Sequence, residues 1–148
     1  MNYLYILKES RDYMSKMEEQ YGDGDTSYRA AGELKGIQQL VNDFYDYMDS
    51  LTESKTIRAL HKPDLSDARY KLSYFLSGWL GGPPLYQEHI GSISIPGFHR
   101  KFNIGSQERD EWLMCMNKAI QQQPYKDDFK RYLFEQLSIP AERCRIRE

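Results

Sequence analysis

The sequence predicts a single all-α domain, and three observations carry that reading. Ile37, Leu40, Val41, Phe44, Tyr45 and Met48 recur at three- and four-residue steps, the spacing of one helix face. A second stripe of Leu72, Phe75, Leu76 and Trp79 stands over 67–80 and stops hard at Gly81-Gly82-Pro83-Pro84. Alternation of apolar and polar residues, the mark of a strand, is confined to the short stretch 92–96. A length of 148 residues suits one domain, able to bury about two-thirds of its unfolded surface.

The elements follow in order. Residues 1–21 carry Tyr3, Leu4, Ile6, Leu7, Tyr13, Met14 and Met17, read as an amphipathic helix that ends in the Gly/Asp-rich loop 22–26. A short helix starts near Ser27 and is broken by Gly32 and Gly36. The 37–50 helix comes next, then a turn or two of helix over 54–61. Pro63 interrupts, and Ser66 is placed to cap the 67–80 helix. The stretch 85–106, with Gly91, Pro96, Gly97 and Gly105, is the least regular. A helix resumes near Ser106 with Trp112, Leu113, Met116 and Ile120 inward. After Pro124 a last helix covers 127–138.

Composition excludes several function classes. A net charge of −2 leaves no basic field for nucleic acid, and the longest apolar runs are too short to span a bilayer. The N-terminus shows neither a basic n-region nor a small-residue cleavage site, so a cytoplasmic location is expected. Cys115 and Cys144 are too few for a disulfide framework. Cys144 sits in the basic stretch RCRIR (143–147), where cations would lower its pKa, unless the segment is simply a frayed terminus. Twelve tyrosines among 14% aromatic residues suit a pocket that is apolar yet supplies hydrogen bonds, or equally a surface of half-buried rings.

Three histidines, His61, His89 and His99, are the candidate metal ligands, but no pair has the i, i+3 or i, i+4 spacing of a two-histidine helix face. On pattern alone each reads as structural or solvated. No phosphate-binding glycine loop, GxSxG elbow or CxxCH haem-attachment motif is present.

Two longer blocks change that reading. FLSGWLGGPPLY at 75–86, followed by HRKFNIGSQERDEWLMCM at 99–116, resembles the group II truncated haemoglobins, with weaker likeness at YRAAG (28–32), DFY (43–45) and IRALH (57–61). The resemblance covers 27–138. It implies a truncated globin with a two-over-two helical sandwich, an N-terminal helical extension over 1–26 and a tail over 139–148.

By the same resemblance His99 stands at the proximal ligand position of haem b, held without covalent attachment. Tyr45, His61 and Trp112 stand as distal hydrogen-bond donors toward a diatomic ligand. Tyr45 or His61 as a sixth iron ligand is left open. Ala68, Leu72 and Phe75 would face the haem, and the small Ala68 leaves a way in. Lys71, Arg100 and Lys101 are candidate propionate partners. Trp79, Phe102 and Ile104 would line or support the pocket. Two departures stand out: SIPGF (94–98) replaces an Arg-rich approach to the proximal histidine, and Glu33 replaces a glycine of the family's AB pair.

The implied function is reversible binding of O2, with NO and CO as further ligands, in transport, storage or sensing. A haem enzyme oxidising NO or consuming peroxide stays open, and would draw electrons from an external reductase because no flavin or NAD motif exists here. A haem-free helical interaction domain is the other alternative. The oligomeric state, monomer or homodimer, is unassigned.

Overall fold

The computed structural model describes residues 20–92 and 102–148. The expected N-terminal helix, the alternating stretch 93–96 and the site candidates His99, Arg100 and Lys101 lie outside the described residues. The elements in chain order are α1 (Thr26–Ala30), α2 (Glu33–Ser50), a 3₁₀ turn (Thr52–Ser54), α3 (Lys55–Arg58), α4 (Ser66–Trp79), α5 (Leu85–His89), α6 (Ser106–Gln122) and α7 (Asp127–Arg143).

α2 is the centre of the fold because its apolar stripe is continuous: Ile37, Leu40, Val41, Phe44, Tyr45 and Met48 are all buried. It packs on both α4 and α6, and α6 packs on α7. The result is two helix pairs stacked on each other, the two-over-two arrangement expected from the resemblance. Between them Phe44 meets Trp112 edge-on, ring centres 5.0 Å apart, and Tyr45 at 4.8 Å. Phe129 of α7 closes the far end against Tyr21 and Tyr125.

The α1–α2 turn departs from the sequence reading. Gly32 breaks the helix, in the left-handed region at φ +84°, but Gly36 lies inside α2. A side chain at Gly36 would meet the Ala31 carbonyl oxygen at 2.0 Å, so Gly36 serves close backbone approach, not a break. Glu33 also holds a left-handed backbone, φ +60°, where a Cβ is strained. Glu33→Gly is therefore expected to raise stability by about 0.5 kcal/mol, the strain relieved exceeding the added chain entropy. A urea midpoint that falls would contradict this.

Helix ends are fixed by long-range partners. The buried Ser54 hydroxyl donates to the Met48 and Leu51 carbonyls (2.7 and 2.9 Å), closing α2. Glu111 Oε1, from α6, accepts the N–H groups of Thr56 and Ile57 (2.9 and 3.0 Å), satisfying the open start of α3. At α4, Ser66 is not the cap; Asp64 Oδ1 accepts the Ser66 N–H at 2.9 Å and takes that role. Among the described residues of the irregular stretch there is one short helix, α5. α7 runs past the predicted end at 138 through Pro140 to Arg143. Pro140 removes one helical N–H. The turn beyond it is kept by Cys144 N–H bonding to the carbonyls of Pro140 and Ala141.

Candidate functional site

A cavity of about 410 Å³ opens between α4, α6, α7 and the chain after α3, within the range of cofactor and small-molecule sites. Helix geometry explains its walls. On α4, Ala68, Leu72, Phe75 and Leu76 fall at i, i+4, i+7 and i+8, so one face enters the cavity. Tyr45 comes from α2, and Glu108 and Trp112, one turn apart, come from α6. Ile57, Leu60, His61 and Lys62 follow from α3, Phe102 and Ile104 precede α6, and Leu137, Pro140, Ala141 and Cys144 close the wall from α7.

Of the expected residues, Tyr45, His61, Trp112, Ala68, Lys71, Leu72, Phe75, Phe102 and Ile104 meet in this cavity. Trp79 does not line it; one turn past Phe75, it stacks on that ring (6.4 Å) and packs on the core. Lys62, Tyr86, Glu108, Arg109 and the α7 wall were not foreseen. The period of Leu137, Ala141 and Cys144 carried the signal for that wall, masked by the proline between them.

Tyr45 is 5% exposed, and burial pushes its phenol well above the ordinary value, so the group keeps its proton and remains a donor. The Arg69 guanidinium lies 5.8 Å from the Tyr45 ring centre and works against that rise. Arg69 is itself held by Asp46 (2.8 Å) and the Asn42 carbonyl (3.0 Å). His61 stands edge-on to Tyr45, ring centres 5.7 Å apart. Its Nδ1 lies 3.0 Å from the Ile57 carbonyl oxygen, which can only accept. That contact requires the proton on Nδ1 and leaves the neutral ring's lone pair on Nε2. In the neutral ring that Nδ1–H is directed to the Ile57 carbonyl.

Two cations along the cavity, Lys71 and Arg109, are already paired. Lys71 meets Asp67 at 2.9 Å, a hydrogen bond that raises its pKa, and Arg109 pairs with Asp110 (2.9 Å) and with Glu142. Arg145 and Arg109 together hold the Glu142 carboxyl down to about 2. Any further anion must share these cations with the resident carboxylates. Glu108 is almost fully buried and pairs with Arg147, leaving its Oε2 without a partner. Among the described residues no group of three or more His, Cys, Asp or Glu could hold a metal ion, and no helix is long and apolar enough to cross a membrane.

Cys144 is neither frayed nor activated. It is buried on the cavity wall, and burial pushes its thiol up, as it does for Cys115. Both thiols are expected to react with a disulfide reagent at pH 8 only as the protein unfolds; one fast-labelling thiol in the native protein would contradict that placement.

An all-helical two-over-two sandwich around an apolar cavity, with tyrosine, histidine and tryptophan gathered in it, defines a globin-type protein. The sequence model of the family described as bacterial-like globin matches residues 26–141, and the chain belongs to that family. It is 32% identical over 114 residues to the group 2 truncated hemoglobin YjbI of Bacillus subtilis, covering 77% of this chain and 83% of that protein. The solved group II 2-on-2 hemoglobin of Agrobacterium tumefaciens superposes with a TM-score of 0.80 at 33% identity, over 83% of this chain and 95% of that one. The cold-adapted truncated hemoglobin of Pseudoalteromonas haloplanktis TAC125 gives 0.80 at 29% identity, over 83% and 99%. Family membership implies haem as cofactor and a gaseous ligand such as O2.

Proposed function

We propose that the chain holds haem b in this cavity through His99, without a covalent link, and binds O2 reversibly, with NO and CO as further ligands. The observation that carries the reading is the convergence of Tyr45, His61 and Trp112 on a cavity whose wall combines aliphatic and aromatic side chains with charged groups such as Lys62, Lys71 and Arg109. The residues present fit the group: a flat apolar macrocycle suits the α4 face and the α7 wall, and its carboxylates suit Lys62, Lys71 and Arg109. Bound there, haem supplies an iron centre able to take a diatomic ligand.

The chain's own residues do the rest. Tyr45 and Trp112 supply O–H and N–H donors in a site largely screened from water, where a hydrogen bond is stronger than in bulk solvent. His61 donates from Nδ1 to the Ile57 carbonyl when neutral, and protonation adds a donor at Nε2. Ala68 keeps that part of the α4 face small. Two unpaired buried thiols suit a reducing compartment, which supports a cytoplasmic location.

Reversibility is tested by cycling the reduced, haem-loaded protein between O2 and nitrogen. The reading expects the oxygenated and deoxygenated spectra to interchange over several cycles. Irreversible oxidation at the first exposure, with no interconvertible spectrum, would sink it.

A further inference from the structure

The corner leading from Phe102 into α6 is held by chain that arrives from the other end of the sequence. Asn103 takes a left-handed backbone, φ +52°. The Ile146 N–H donates to the Ile104 carbonyl (2.8 Å), and Arg147 Nε donates to the Asn103 carbonyl (3.0 Å). The Arg147 guanidinium also pairs with Glu108, whose side chain is 4% exposed. The returning chain packs close on Gly105: a side chain there would meet Arg147 Nη1 at 2.5 Å and the Glu148 backbone oxygen at 2.9 Å.

These contacts belong to the cavity wall. Ile104 and Glu108 line the cavity from one side of the corner, and Cys144 lines it from the returning chain. The family match ends at residue 141, so the returning half of the clasp, residues 144–147, lies outside that segment while the 103–108 half lies within it. A buried carboxylate is costly unless paired and hydrogen-bonded; here Glu108 is buried while the Arg147 side chain, 45% exposed, reaches it from the surface. Glu108 and Arg147 spend such a pair where an apolar contact would have served for packing alone. The arrangement therefore fixes where the corner sits.

We propose that residues 144–147 are part of the haem seat, with Arg147 and Glu108 as positioning residues that pin the 103–105 corner, four residues beyond His99, and so slow haem loss. The proposal rests on the reading that this cavity holds haem. Without Arg147 the Glu108 carboxylate loses its cation while still largely buried, which favours openings of the corner that let water reach it. Removing the charge as well removes that demand, so Arg147→Ala with Glu108→Gln is milder than Arg147→Ala alone.

The test is transfer of haem from the loaded full-length chain to excess apomyoglobin at 25 °C, together with the iron–histidine stretching band of the reduced protein by resonance Raman. Arg147→Ala is expected to lose haem about tenfold faster, with the band displaced. The double variant should recover part of that loss. Phe129→Leu, a buried ring outside the cavity, serves as control: it lowers Tm but keeps the band and a loss rate within about twofold of the wild type. Wild-type loss rate and band in Arg147→Ala would overturn the proposal. So would Phe129→Leu matching Arg147→Ala in both readouts, since the effect would then be general destabilisation. A folded wild type that takes up no haem defeats the functional reading itself, and the proposal with it, before any variant is compared.

Discussion

Tyr45→Phe is expected to release O2 about 30-fold faster than the wild type while its thermal stability changes little. The phenol is buried and kept protonated by burial, and no described residue holds its hydroxyl in a hydrogen bond. Removing that oxygen therefore leaves no protein group orphaned, and the ring contacts with Phe44 and His61 survive in phenylalanine. What is lost is a donor to a partly charged ligand in a dry site, worth about 2 kcal/mol, or about 30-fold in rate. Stopped-flow displacement of O2 by CO measures it. An unchanged rate would move the donor role to Trp112 and remove Tyr45 from the mechanism.

Phe44→Ala is expected to cost about 3–4 kcal/mol and lower Tm by about 10 °C. Phe44 is fully buried and stands between the two donors, packed against Tyr45 and Trp112. The cavity left by its ring cannot be filled by α2 alone, because α2 is also fixed against α4 and α6. Both donors then lose a wall, so O2 release should quicken alongside the fall in stability. Urea unfolding of the haem-free and haem-loaded forms checks this; a loss below about 1 kcal/mol would mean the core collapses onto the site without strain.

Much of the architecture was legible because helical period survives in the residues that make it. The α2 stripe reads directly from 37 to 48, and each of its members is buried. Ala68, Leu72 and Phe75 were placed by resemblance, and their spacing on α4 accounts for their shared face. Trp79 shows the limit of that logic: eleven residues beyond Ala68 is close to three full turns, so it shares the face, yet the cavity ends before it. Pro140 concealed the last turn of α7, because a proline in an exposed-looking helix end reads as a stop while tertiary packing keeps the turn. Gly36 misled for a similar reason, its value lying in a backbone contact that no local pattern encodes.

Pairings across long sequence separations were out of reach. Glu108 and Arg147 lie 39 residues apart, and nothing in RCRIR distinguishes the partner of a buried carboxylate from a solvated tail. The proton position on His61 depends on the Ile57 carbonyl four residues earlier, a contact fixed only once the short α3 turn is formed.

The central claim is that this cavity is a haem site held by His99. The direct measurement is the absorption spectrum of the full-length chain purified with haem supplied, beside His99→Ala. The account predicts a strong Soret band that shifts on dithionite and again on CO, and that is lost or altered in His99→Ala. A well-folded wild type by circular dichroism with no Soret band would contradict it.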